Sequence, residues 1–257
     1  TFTEVDMERS LFLLKSAAED HKCREAEYWL GEWYSKMSKR CNEPDSCIRL
    51  ISSMVDYWQR SCNRHDIRSA RALADLYANG FRMVDTDSSY ILHKDWRKAI
   101  DYYRLVSAWG GSDGHLNAGR LLYENSMWND AEKELRMAAD RGEGESFFLL
   151  AQICKGRHDM RGYKGNLESG ASLHDPSSLY ELGRLYERGA VFAKQNDAKA
   201  ASYYAKAATG ASLYKMALLY FDGRAAAPSV KTMATALSAI RQSASMGNAD
   251  AMEYLGE

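Results

Sequence analysis

The sequence predicts an all-α, right-handed solenoid built from antiparallel helix pairs. A short helical motif recurs along the chain at intervals of about 32 to 45 residues, which is typical of arrays of helix pairs. Proline occurs only three times in 257 residues, so long helices are permitted almost everywhere. Because one helix pair cannot bury its apolar face alone, we expect neighbouring pairs to stack on one another.

The first helix of each repeat carries the recurring motif. A small residue is followed four positions later by Leu, then directly by Gly or Ala, and three positions after that by Tyr. The clearest copies are AEYWLGEWY from Ala26, SARALADLY from Ser69 and SLYELGRLY from Ser178. The helical period places the central apolar residue of every copy in the core. These central residues are Leu30, Leu73, Ala118, Leu150, Leu182, Met216 and Leu255.

The second helix of each repeat is clearest in NDAKAASYYAKAATG, which ends at Gly210. Small and aromatic residues keep helical spacing there, from Ala198 to Ala208. Glycine adopts the left-handed helix C-cap at the lowest cost, so glycines should mark the helix ends. We expect Gly80, Gly189 and Gly223 to end first helices, and Gly142, Gly210 and Gly247 to end second helices.

The repeats predict a single domain over residues 1–257, with about six helix pairs and a truncated C-terminal copy. Two insertions, near 35–54 and 81–95, are expected between the halves of the first two full repeats. Insertions in repeat proteins map to one face and often carry binding. Solvated loops without a role are an equally good interpretation.

The segments LYELGRLYERG and NDAKAASYYAKAATG resemble the SEL-one-like repeat, a relative of the tetratricopeptide repeat. The resemblance covers about residues 10–257 and is weaker in the middle copies, where Ala118 replaces the Leu and Cys154 replaces the Tyr. It implies adaptor, scaffold or inhibitor roles. Some members of the family are bacterial immunity proteins that neutralise a secreted antibacterial enzyme, lipases included.

Positions two before and two after the central residue lie opposite the core on a helical wheel. In this sequence they are rich in aromatic residues and Arg, which are enriched where binding energy concentrates at protein interfaces. We therefore expect a concave protein-binding surface, although these side chains would also suit packing between adjacent first helices. The expected binding residues are Tyr28, Arg120, Phe148, Tyr180, Arg184 and Tyr214.

Charge and cysteine content narrow the classes of partner and compartment. The chain has 34 Lys and Arg against 35 Asp and Glu, a balance that argues against a nucleic-acid binder. No apolar run approaches the length of a membrane span, so we expect no membrane insertion. Four of the five cysteines fall within the first 62 residues, which indicates an oxidising compartment. We expect a disulfide between Cys41 and Cys47, with two free thiols as the alternative.

Motifs that carry catalysis are absent from the sequence. There is no phosphate-binding loop, dinucleotide fingerprint, zincin motif or Gly-x-Ser-x-Gly. The pairs His65–Asp66 and His158–Asp159 look catalytic, but no nucleophile accompanies them, and we interpret both as solvated surface. We expect no catalytic residue, cofactor or metal.

The sequence therefore predicts a non-enzymatic module that binds a protein. The more specific expectation is an immunity or inhibitor protein, monomeric or in a 1:1 complex, that neutralises a secreted antibacterial effector such as a lipase. It would act in the bacterial periplasm or outside the cell; the chain opens on Thr1 without a signal-peptide pattern, which suits either a mature terminus or an artificial one. The alternative function is an envelope-assembly or host-interaction scaffold. The alternative location is the cytoplasm.

Overall fold

The computed structural model describes residues 4–82, 90–190 and 193–256 of the chain. These residues form two compact units, Thr1–Glu134 and Leu135–Glu257. Each unit is a stack of consecutive helices joined by short turns, and the predicted α-solenoid class is confirmed. The proposed extent of one repeat domain over residues 1–257 stays a prediction.

The first unit contains helix pairs in which each helix packs mainly on its neighbours in the sequence. Pro44 stands at the first position of its helix, where a missing N–H costs nothing. The helices are α1 Glu4–Glu19, α2 Arg24–Ser38, α3 Pro44–Cys62, α4 Ile67–Asn79, α5 Trp96–Ala108, α6 Gly114–Glu124 and α7 Trp128–Asp140, the last of which contains the unit boundary.

The second unit repeats the same architecture. Helix pairs α8·α9, α10·α11 and α12·α13 pack along their lengths, and α14 is the first helix of the truncated last copy. The helices are α8 Gly144–Gly156, α9 Met160–Ser172, α10 Pro176–Arg188, α11 Asp197–Ala207, α12 Gly210–Phe221, α13 Val230–Ser245 and α14 Ala249–Leu255.

The predicted register of the motif is confirmed. Six of the seven central residues are buried, and Leu255 packs partly buried against the last core cluster. Cys154, which takes the place of the motif Tyr, is partly buried against Tyr163 and Leu167. The 3.6-residue period of the apolar positions was therefore sufficient to assign the core face of every first helix.

Several turns between consecutive helices contain a residue in the left-handed conformation, and some of them also supply the cap of the next helix. Gly142 and Gly247 take positive φ as predicted, and so do His65, His158 and His174. Each of these histidines precedes an Asp that accepts a hydrogen bond from a backbone N–H in the first turn of the next helix. The His–Asp pairs are thus turn and cap, which is the reason they recur.

Two local predictions about these turns are wrong. Asp66 is buried rather than solvated, because its carboxylate caps α4. Gly210 does not end a second helix; Ala208 takes the left-handed position there, Thr209 caps the next helix, and Gly210 begins α12. A glycine in sequence marks a region where the chain turns, and the cap residues decide the position.

Segment 35–54 is mostly helical and is not a loop insertion. It comprises the end of α2, a turn, and the first half of α3, whose Cys47, Ile51 and Met54 are buried. Segment 81–95 contains two short antiparallel strands, β1 Phe81–Arg82 and β2 Tyr90–Leu92. Residues 83–89 of that predicted insertion lie outside the described residues.

None of the five cysteines, all of which lie in the described residues, is joined in a disulfide in the structure. Cys41 lies in the turn before α3, with its Sγ 3.3 Å from the carbonyl oxygen of Glu43. Cys47 is buried beside it, and burial followed by the neighbouring Cys41 thiol raises the pKa of the Cys47 thiol to about 11. The disulfide between Cys41 and Cys47 stays a prediction. The two thiols that would form it are neighbours in the structure.

Candidate protein-binding groove

The second unit contains a groove of about 340 Å³ that brings three of the six expected binding residues together. Phe148 comes from α8, while Tyr180 and Arg184 come from α10. The volume is at the lower end of ligand-binding clefts, enough for a few side chains of a partner. The groove is lined by Phe148, Pro176, Ser177, Tyr180, Glu181, Arg184, Thr209 and Ala211.

Helix starts hold one side of the groove in place. Asp175 accepts a hydrogen bond from the N–H of Ser178 at 2.7 Å and thereby fixes the start of α10. At α12, Thr209 and Ser212 form a reciprocal capping box. These caps satisfy N–H groups that a helix end leaves without a partner, so Ser177 and Ala211 stand on well-defined backbone.

The aromatic part of the groove is half-buried. The ring of Tyr180 lies 5.5 Å from that of Tyr204 between centroids, and Tyr204 is fully buried. Phe148 packs against the cluster that contains Leu182 and Tyr163. These two rings therefore support the fold and also present surface to the groove.

Glu181 is the residue around which the polar side of the groove is organised. Its carboxylate is buried and accepts hydrogen bonds from the Tyr163 hydroxyl at 2.7 Å and from Arg184 Nη1 at 2.7 Å. Lys155 Nζ lies 3.5 Å away. One buried carboxylate thus positions two cationic side chains that remain partly exposed, Arg184 and Lys155.

The ionisation of Glu181 follows from these contacts. Burial by itself would raise the pKa of its carboxyl, but the hydrogen bond from Tyr163 and the charges of Arg184 and Lys155 outweigh burial. The pKa therefore lies below its ordinary value of 4.5. Burial and the bond to Glu181 raise the pKa of Tyr163, so its hydroxyl remains a donor.

The low pKa of Glu181 predicts a pH-dependent contribution to stability. Because the folded pKa is depressed, the contribution is complete above pH 4.5 and is lost as the pH falls through the folded pKa. Glu181→Gln should lower the free energy of unfolding by about 1–2 kcal/mol at pH 7. Urea unfolding from pH 7 to pH 3 should show this difference shrinking in acid.

The exposed Glu124→Gln change is the control for that series and should stay within about 0.5 kcal/mol of the wild type. A Glu181→Gln difference that stays constant down to pH 3 would mean that the carboxylate is not held ionised by its neighbours.

Tyr214 does not line the groove. It packs partly buried against the last core cluster, and Asp250, Glu253 and Tyr254 of α14 are close enough to influence the ionisation of its hydroxyl. Burial, followed by these groups, raises the pKa of Tyr214. Packing between adjacent first helices, the alternative interpretation of the aromatic positions, accounts for the buried part of Tyr214, and a binding role for this residue stays a prediction.

Tyr28 and Arg120 belong to the first unit. The guanidinium of Arg68 lies 4.4 Å from the centroid of the Tyr28 ring, and the Trp29 ring meets it edge-on at 5.2 Å. Arg120 Nη1 donates to Asn117 Oδ1 at 3.1 Å within α6. Within that unit, Tyr28 is engaged by residues of α2 and α4. A binding role for Tyr28 and Arg120 stays a prediction.

Sequence reasoning missed Glu181. The residue stands beside the core Leu182, where the motif favours packing, and a charged residue at such a flank is the signal that could have identified it. Its partner Tyr163 is 18 positions away on another helix, and no spacing within one motif brings the two together.

Neither a cluster of metal-ligating side chains nor a membrane-spanning helix occurs in the described part of the chain. Within it, no three His, Cys, Asp or Glu side chains are grouped as metal ligands would be. None of the helices in residues 4–82, 90–190 and 193–256 combines the length and apolar character needed to cross a membrane.

No family model matches this sequence, and no curated protein matches it. Solved structures do match. The protein c5321, described as a protective antigen of uropathogenic Escherichia coli with an SLR fold, is 19% identical with a TM-score of 0.64; the match covers 94% of this chain and 50% of that one. This chain thus spans half the length of that protein.

A Sel1 repeat protein from Oxalobacter formigenes is 15% identical with a TM-score of 0.62, and the match covers 100% of this chain and 82% of that one. The immunity protein PA5088 from Pseudomonas aeruginosa is 21% identical with a TM-score of 0.49, over 84% and 82% of the two chains. The first two likenesses agree with the SEL-one-like resemblance and establish the fold alone.

Proposed function

We propose that this α-solenoid is a non-enzymatic protein-binding module and that its partner docks in the groove at Phe148, Tyr180 and Arg184. The observation that carries the proposal is the convergence of these residues in one groove of about 340 Å³. Half-buried rings supply apolar area, and Arg184 supplies directed hydrogen bonds; this combination is common where a few residues dominate binding.

The groove suits binding better than catalysis. Its hydroxyl groups, on Ser177 and Thr209, have no histidine among the lining residues to activate them. Its one carboxylate, Glu181, has a lowered pKa, whereas a general acid or base works best with a pKa near the working pH. The hydrogen bonds of Glu181 instead fix the position of Arg184.

The specific role that we propose is that of an immunity or inhibitor protein. Its partner would be one compact effector enzyme, such as a secreted antibacterial lipase, encountered in the bacterial periplasm or outside the cell. The SEL-one-like resemblance supports this role, and so does a groove sized for a few side chains of an inserted loop. Binding would cover the active-site mouth of the enzyme or hold its mobile loops in an inactive arrangement.

The test begins with affinity purification from the native host, identification of a stoichiometric partner by mass spectrometry, and its purification for calorimetry. Arg184→Ala should weaken binding of that partner by about 1–3 kcal/mol. The thermal midpoint of the Arg184→Ala variant should differ little from that of the wild type, because Glu181 keeps its contacts with Tyr163 and Lys155. Tyr180→Ala should weaken binding and also lower the midpoint, since its ring packs on Tyr204.

Arg188→Ala is the matched control, because Arg188 is an exposed residue at the end of the same helix and does not line the groove. Unchanged affinity for Arg184→Ala would place the interface elsewhere on the protein. A partner that is inhibited in an enzyme assay supports the immunity role, whereas a structural envelope or host-surface protein would favour the scaffold alternative.

A further inference from the structure

The charges in and directly beside the groove are unequal, and this inequality indicates the chemistry of the partner. Two cationic side chains, Arg184 and Lys155, share the single carboxylate of Glu181. Lys155 does not line the groove; among the residues that do, Glu181 and Arg184 carry the charges. The cluster of Glu181, Arg184 and Lys155 therefore has one more positive than negative charge, and its two cations remain partly exposed.

The orientation of the neighbouring helix α12 adds a further positive potential to the groove. The N-terminus of α12 reaches the groove through Thr209 and Ala211. Its caps, Thr209 and Ser212, are neutral, so the positive end of the helix dipole is not offset there. At α10 the buried carboxylate of Asp175 caps the helix and offsets the corresponding charge.

The aromatic side of the groove lies next to this positive side on the same helix. Tyr180 and Arg184 are four positions apart on α10 and therefore share one face. A partner segment that fills the groove meets an apolar floor at Phe148 and Tyr180, and a cation held in place by a buried carboxylate directly beside it.

Resting on the proposed function, we propose that the partner enters this groove with a segment in which an Asp or Glu side chain neighbours an aromatic or large aliphatic residue. The apolar side chain lies on Phe148 and Tyr180, and the carboxylate pairs with Arg184. Because Glu181 already fixes the guanidinium, little side-chain entropy is lost when the carboxylate binds. Charge-assisted bonds of this kind are stronger than neutral ones.

Selection from a phage-displayed library of random heptapeptides on the full chain tests the proposal. Ser177→Trp, at an exposed lining position, fills the groove and serves as the counter-selection protein. Enriched peptides should pair an acidic residue with an aromatic or large aliphatic neighbour. In a synthetic peptide of the selected sequence, replacing Asp by Asn or Glu by Gln should weaken binding to the wild type at least ten-fold.

Two variants assign that effect to the groove. Arg184→Gln should bind the acidic and amide peptides within about two-fold of each other, because the group that distinguishes them is gone. Ala211→Glu, at an exposed lining position, should weaken the acidic peptide at least ten-fold through repulsion, whereas Ala211→Gln should change it less than three-fold. Thermal midpoints of all variants verify that each protein is folded.

The results that would overturn this proposal differ from those that would overturn the proposed function on which it rests. Enriched peptides without acidic residues that lose binding in Phe148→Ala and Ser177→Trp would overturn the acidic preference and leave a protein-binding groove. An acidic preference that persists in Arg184→Gln would also overturn it. Peptides that bind Ser177→Trp as well as the wild type, or no enrichment above that protein, would overturn both proposals.

Discussion

Replacing Leu182 with Ala should lower the free energy of unfolding by about 2–5 kcal/mol. Leu182 is the central residue of the fifth motif copy and is only 3% exposed. It packs in a cluster with Ala151, Tyr163 and Leu167, three residues from two other helices. Truncation removes apolar contacts and leaves a cavity that rigid neighbours cannot close. Chemical unfolding followed by far-UV circular dichroism measures the change.

Leu237→Ala is the matched control, since Leu237 is 42% exposed in the middle of α13. That change should stay within about 0.5 kcal/mol of the wild type. Equal costs for the two substitutions would mean that the assignment of the core face is wrong. The Leu182 site also borders the groove through Phe148, which packs on the same cluster, so this variant is expected to bind a partner only as far as it remains folded.

Adding one methyl group at Gly183 should cost about 1–3 kcal/mol. A Cβ at this position would stand 2.6 Å from the ring of Tyr204, too close for any real contact. The ring cannot easily retreat, because Tyr204 is fully buried and its hydroxyl donates to Glu187 at 2.7 Å. The Gly183→Ala variant therefore forces backbone or ring displacement, which the same unfolding experiment measures.

Gly165→Ala should have the opposite sign. Gly165 lies within α9, and a Cβ there meets no atom within 4 Å. Alanine is the better helix former, so this variant should gain about 0.5–1 kcal/mol. If Gly183→Ala and Gly165→Ala were both more stable than the wild type, helix propensity alone would explain the effect of both substitutions. The close packing of Gly183 on Tyr204 would then be disproved.

The glycine that directly follows the central Leu of the motif can be recognised in the sequence, but the reason for it is seen only in the structure. Its recurrence after the central Leu is visible in the sequence at Gly31 and Gly183. In the structure, each of these glycines makes room for an aromatic ring from the second helix, Trp58 and Tyr204 respectively. The position is thus a requirement of helix-pair packing, and the pairing of glycine with a distant ring was not evident from the motif.

Segment 35–54 shows why the irregular parts were harder to predict. The segment was expected to be an insertion between two helices, but Pro44 begins α3, and Cys47, Ile51 and Met54 after it are buried. Proline marks the start of a helix as readily as a break, and the position of the neighbouring helix decides between the two. The composition of the groove also depends on how neighbouring helices stack. Three of the expected residues line it, whereas Tyr214 lies beside α14.

The sequence by itself determined the helix-pair class, the register of the seven motif copies and the core face of each first helix. These depend on the period of apolar residues within one helix, which is a local property. The tertiary structure decided which half-buried side chains share a groove and that Glu181 joins Tyr163, Lys155 and Arg184. Such contacts join residues on different helices, and only the stacking of those helices sets their distances.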